Sequence, residues 1–146
     1  MKHVVSISLG SSSRNHSVEA EFLGEKFKIE RIGTDGDQKK ALGLIKELDG
    51  KVDAFGLGGI DLYICIGDKK YIFKDAKRLA NAAKRTPIVD GSGLKNTLER
   101  KVIKYLNNEY GLKFKDKKVL LVCAMDRFGM AETFEKFECD LTLGDL

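Results

Sequence analysis

The chain has 146 residues, of which 42% are hydrophobic and 33% charged, and a net charge of +4. This length and balance indicate one globular domain with room for a core and exclude a disordered polymer. No apolar run approaches the roughly 20 residues of a membrane helix, and Met1-Lys2-His3-Val4-Val5 enters a strand-like run without the apolar core of a secretory signal, so the cytoplasm is the expected compartment.

Val4 to Leu9 reads as a first strand. Val18 to Leu23 and Lys26 to Ile32 flank Gly24 as a hairpin, with Phe27 and Ile29 alternating against Lys28 and Glu30. Gly33 to Asp37 is a turn. Gln38 to Leu48 follows as a helix, whose Ala41, Leu42, Leu44, Ile45 and Leu48 keep the spacing of one buried face. Asp49-Gly50 closes it. Val52 to Phe55 reads as a buried strand ended by Gly56-Leu57-Gly58-Gly59. Leu62 to Ile66 and Tyr71 to Phe73 flank Gly67-Asp68-Lys69-Lys70 as a second hairpin. Asp75 to Arg85 is a basic helix, and Pro87 opens the next strand. Leu94 to Leu106 is the clearest helix, with Leu94, Leu98, Val102 and Leu106 as its apolar ridge. Val119 to Cys123 reads as a buried strand, Arg127 to Phe137 as a helix and Leu141 to Leu143 as a last strand.

Hairpins and alternating strands and helices together predict an α/β domain: a mixed β-sheet with helices on both faces and a Rossmann-like βαβ unit at the C-terminal end. Residues 1–146 are read as a single domain. The end at Gly144-Asp145-Leu146, directly after a strand, suggests the N-terminal portion of a longer protein. Lysine and glutamate are interspersed. The longest basic cluster, Lys113 to Lys118, is interrupted by Asp116 and reads as a solvated loop, so nucleic acid is not an expected partner, nor is a membrane. Cys65, Cys123 and Cys139 are widely spaced and odd in number, as expected of buried free thiols in a reducing compartment. With His3 and His16 the only histidines, no metal site is expected.

Four turns carry the candidate chemistry. Asp90-Gly91-Ser92-Gly93 precedes a helix, where backbone N–H groups and the helix dipole favour an anion; Lys95 would add charge. The alternative is an ordinary capped turn. Gly56, Gly58 and Gly59 would admit a ligand to the backbone beside Asp61, or simply bend the chain. Gly10, Ser11, Ser12 and Arg14 combine hydroxyls with a guanidinium able to grip a carboxylate or phosphate by two prongs, and His16 follows; a solvated loop is the plainer reading. In the last turn the G-x-G-x-x-G spacing of a dinucleotide site falls on Ala124, Asp126 and Gly129, so only the third glycine is present. There Arg127 would offset Asp126, and Asp145 after the last strand is a candidate ribose ligand. The expected ligand is a small anionic metabolite or a nucleotide. A homo-oligomer is an open option.

The segments Ser-Ile-Ser-Leu-Gly-Ser-Ser, Glu-Arg-Ile-Gly-Thr-Asp-Gly-Asp, Ala-Phe-Gly-Leu-Gly-Gly-Ile-Asp-Leu-Tyr and Thr-Pro-Ile-Val-Asp-Gly-Ser-Gly-Leu-Lys-Asn-Thr-Leu-Glu-Arg resemble bacterial proteins labelled quinate 5-dehydrogenase, in their N-terminal part. Ser6-Ile7-Ser8 looks like the Ser-x-Ser substrate motif of shikimate and quinate dehydrogenases, and Thr34-Asp35-Gly36 like their aspartate motif. The resemblance implies an NAD(P)-dependent oxidation of a cyclic hydroxy acid. The substrate would lie against residues 10–14 and 56–59 and the nicotinamide near Gly129, with His16 or Asp90 as the base. The alternative is a non-catalytic α/β module that holds a nucleotide, phosphate or acidic metabolite in the same turns.

Overall fold

Alternation of Val5 and Ile7 with Ser6 and Ser8 produces the strand β1 (Lys2–Ser8) of the computed structural model, which describes residues 1–145. After a single 3-10 turn at Ser12–Arg14 come β2 (His16–Phe22) and β3 (Glu25–Gly33), an antiparallel pair. The helix α1 (Gln38–Leu48) starts at Asp37, whose side chain accepts the Lys40 amide at 3.0 Å. There follow β4 (Ala54–Gly58), the pair β5 (Tyr63–Ile66) and β6 (Lys69–Ile72), α2 (Lys74–Ala80) and the short β7 (Ile88–Val89). The chain ends with α3 (Ser92–Asn108), β8 (Lys118–Leu121), α4 (Phe128–Lys136) and β9 (Asp140–Leu143). It is a mixed α/β fold with a central sheet and flanking helices. Two compact units form, Met1–Leu62 with Ile72–Gly91, and Tyr63–Tyr71 with Ser92–Leu146.

The first unit holds a five-stranded sheet in the order β2-β3-β1-β4-β7. β1 is parallel to both β3 and β4, and β4 to β7. Val5 and Ile7 of β1, Phe55 and Leu57 of β4, and Ala41 and Ile45 of α1 are buried together, with Leu79 of α2. Each large apolar side chain removed from water here contributes about 1.5–3 kcal/mol.

Two expectations change in this unit. Gly56 and Gly58 lie within β4 rather than after it, opposite Ser6 and Ser8 of β1. The helix expected over Asp75 to Arg85 stops at Ala80. The Asp49 carboxylate takes the amides of Lys84 and Thr86 at 2.8 Å and that of Arg85 at 3.0 Å, which draws the chain off the helical path.

In the second unit β8 and β9 are parallel and joined by α4, a βαβ unit. Leu121, Ala124 and Ala131 form its core. β8 is not buried on both sides: Leu120 is 64% and Val122 63% exposed, and Cys123 is exposed rather than buried. The apolar ridge of α3 faces out as well, with Leu94 60% and Leu98 51% exposed. The charged flank of α3, with Ile103, turns inward instead: Lys95 pairs with Asp126 at 2.7 Å, Glu99 with Arg127, and Arg100 with Glu132 at 2.5 Å.

Candidate functional site

The candidate site lies at the carboxyl ends of β1 and β4. The chain leaving β1 crosses the end of β3 to reach β2, whereas the chain leaving β4 departs toward β7. Neighbouring parallel strands whose connections diverge leave a crevice between them, which is where open α/β sheets bind ligands. Gly10 and Gly59 bring the two connections into contact at its base. The Leu9 amide donates to the Gly58 carbonyl at 2.8 Å, and a Cβ on Gly59 would stand 3.0 Å from the Gly10 nitrogen. With φ at +70°, Gly59 also needs the backbone freedom that only glycine has.

Two guanidinium groups converge over Gly10. The position a Cβ would take there is 2.7 Å from Nη2 of Arg14 and 3.0 Å from Nη2 of Arg31. Arg31 is fixed: its Nη2 donates to Ser8 Oγ at 2.9 Å and its Nη1 to the Ser11 carbonyl at 3.0 Å. Arg14 is exposed at the end of the 3-10 turn. Among the described residues no carboxylate pairs with either.

Backbone amides contribute less than the glycine and serine pattern suggests. The Gly10 amide donates to Ser8 Oγ at 3.1 Å, that of Ser12 to Asp35 at 2.7 Å and that of Ser13 to Ser11 Oγ at 3.2 Å. The Ser12 amide holds the Asp35 carboxyl below its ordinary range. Asn15 Oδ1 accepts the Gly33 amide at 2.6 Å. These bonds order the loop rather than present free donors, so the charge at this rim comes from the side chains.

The other predicted residues fall elsewhere. His16 is exposed at the start of β2, in register with Arg31. Asp90 accepts the Leu62 amide at 2.6 Å and so fixes the end of the β4 loop; Asp61 is half-buried in that loop. Gly91 is exposed, and Ser92, Gly93 and Lys95 belong to the second unit, where Ser92 is buried. Sequence reasoning missed Arg31. It reads as one more polar residue of an alternating strand, and the available signal was a cation two residues before the strand-ending Gly33.

The turn between β8 and α4 does not fit a dinucleotide as it stands. Asp145 accepts the amides of Ala124 at 2.8 Å and Met125 at 3.3 Å, where a pyrophosphate would have to lie. The Arg100 guanidinium covers Gly129, within 2.7 Å of where a Cβ would be. The space bounded by Asp126, Arg127, Gly129 and Tyr63 measures only about 10 Å³. Asp126 and Arg127 are both ion-paired. Among the described residues no three His, Cys, Asp or Glu side chains gather as metal ligands, and no helix is long and apolar enough to cross a membrane.

Comparison with known proteins gives a family. Residues 3–90 match the model described as Domain of unknown function (DUF8753), which spans more than half of the chain, and the chain belongs to that family. Residues 93–146 match the model described as Domain of unknown function (DUF8754). No curated protein and no solved structure matches the chain.

Proposed function

We propose that the chain is a binding module whose first unit takes the phosphate or carboxylate of a small anionic metabolite or nucleotide. The observation that carries this reading is the convergence of Arg14 and Arg31 on Gly10, at the crevice between β1 and β4, without a carboxylate between them. Two like charges this close repel, and a bound anion relieves the repulsion while accepting bidentate hydrogen bonds. Arg31 is preorganised by Ser8 and Ser11, so little side-chain entropy is lost on its side; the exposed Arg14 closes on the ligand. The missing side chains of Gly10 and Gly59 let the two guanidinium groups and the two turns approach where a Cβ would collide.

A second reading, NAD(P)-dependent oxidation of a hydroxy acid such as quinate, draws support from the parallel β8–α4–β9 unit, which has the chain order of one βαβ step of a dinucleotide fold. The engaged Asp126, Arg127 and Asp145 weigh against it. One experiment addresses both. Calorimetric titration with phosphate, mononucleotides, quinate and shikimate is expected to find a ligand among the anions. Removing one charge-assisted bond costs about 1.5–3 kcal/mol, so Arg14→Ala and Arg31→Ala should each weaken that ligand about tenfold or more. Affinity unchanged from that of the unaltered chain in both variants overturns the proposal. Growth of absorbance at 340 nm with quinate and NAD(P)⁺ transfers the assignment to the oxidoreductase reading.

A further inference from the structure

A second concentration of charge lies on the first unit, in a groove of about 590 Å³ between α1 and α2. On α2 the residues Lys74, Lys77, Arg78 and Asn81 recur at i, i+3, i+4 and i+7, so they share one face, and all four are exposed. The opposite face carries Ala76 and Leu79 into the core. From α1 comes Lys46 in the last turn, one turn beyond Leu42. Lys84 enters from the loop after α2. Leu42 and Ala82 give the groove an apolar floor.

Five cations therefore line one concavity, and no acidic side chain lines it. None of the five is ion-paired among the described residues. Elsewhere in the chain lysines do find acids, as Lys28 finds Glu30 and Lys115 finds Glu138. Asp49, three residues after Lys46 and hydrogen-bonded to the Lys84 amide, is spent on the amides of residues 84–86. This carboxylate shapes the groove and does not neutralise it. Like charges gathered in a concave site focus a positive potential.

We propose that this groove binds a polyphosphate group, a linear chain of two or more phosphates. The groove is shallow and open, so a chain of phosphates can lie along it. Four lysines are point charges that suit several phosphates in a row, whereas one phosphate or carboxylate engages only two or three of them. The groove offers no aromatic side chain on which the bases of a nucleic acid would stack. The inference does not depend on the β1–β4 rim, which uses other residues.

The test is calorimetric titration of the whole chain with inorganic tripolyphosphate, ATP and orthophosphate, without divalent cations. Tripolyphosphate is expected to bind at least tenfold more tightly than orthophosphate. The K74E/K77E/R78E variant should lose tenfold or more in affinity, and the milder K77Q/R78Q about threefold, with circular dichroism checking that both fold. The R14A/R31A variant should bind tripolyphosphate within twofold of the unaltered chain, which separates this groove from the rim. ATP equal to tripolyphosphate supports the proposal with the phosphate chain as the whole determinant. ATP at least tenfold tighter supports it with a nucleotide as the source. No tripolyphosphate binding, or binding unchanged in K74E/K77E/R78E, overturns it.

Discussion

The turn after β1 and the turn after β8 follow the same local plan, a parallel strand ending in small residues beside an arginine, yet their charges do different things. At the first, Arg14 and Arg31 meet over Gly10 with only hydroxyl and carbonyl partners. At the second, Arg127 is paired with Glu99, Asp126 with Lys95, and the turn amides with Asp145. A charge already matched within the chain holds the fold together; an unmatched one at a crevice is available to a ligand. Sequence motifs do not separate these cases, because the partner comes from a distant segment.

The comparison breaks most plainly in a pair of arginine variants. Arg100 is half-buried, bonded to Asn96 and paired with Glu132, whose own side chain is mostly covered. Arg100→Ala leaves that carboxylate without its partner and should cost about 2 kcal/mol in denaturant unfolding, with rim binding unchanged. Arg14→Ala, on an exposed guanidinium, should change stability by less than about 0.5 kcal/mol while weakening the rim ligand. If both variants lose stability equally, the distinction between matched and unmatched charge fails.

Asp49 sharpens the contrast within the first unit through pH. Its pKa is lowered from 3.8 to about 2, chiefly by the amides of Lys84 and Thr86. Between these values the unfolded chain binds more protons than the folded one. The contribution of Asp49 is therefore complete above about pH 4 and lost as pH falls through about 2. Thermal melts at pH 6, 4 and 2.5 should show Asp49→Asn less stable at pH 6 and converging on the unaltered chain at low pH. A constant difference across that range would mean that the charge of Asp49 does not hold the 84–86 loop.

Much of the first unit was legible in the sequence, since period-two alternation announces β1, β2 and β3 and apolar spacing announces α1. The parallel register that sets Ser6 opposite Arg31 is a non-local fact that no local pattern carries, and so Arg31 was hidden. The same reason accounts for α3. Its Leu94, Leu98 and Val102 ridge is a sound helical signal, but the face that turns in is the one ion-paired to residues 126–132, partners that the local pattern does not show. Likewise the stop of α2 at Ala80 depends on a carboxylate more than 30 residues earlier in the chain, at Asp49. Periodicity reports that an element forms; pairing across the chain decides what it faces.

The smallest expected effect tests whether the β8–α4 turn is closed to anions by charge or by shape. Asp145→Ala removes the carboxylate from the Ala124 and Met125 amides. Because Asp145 is exposed, water replaces part of what is lost, and the cost should be about 1 kcal/mol or less, a fall in Tm of about 2–4 °C. In an R14A/R31A background, where the rim is silenced, added phosphate should then restore part of the loss in Asp145→Ala and do less for the chain that keeps Asp145. Such rescue would mean that the turn retains an anion seat which the chain fills from within. Absence of rescue would assign the exclusion to geometry, to Arg100 lying over Gly129 and to the ion pairs at Asp126 and Arg127, and the two turns would then differ in shape before they differ in charge.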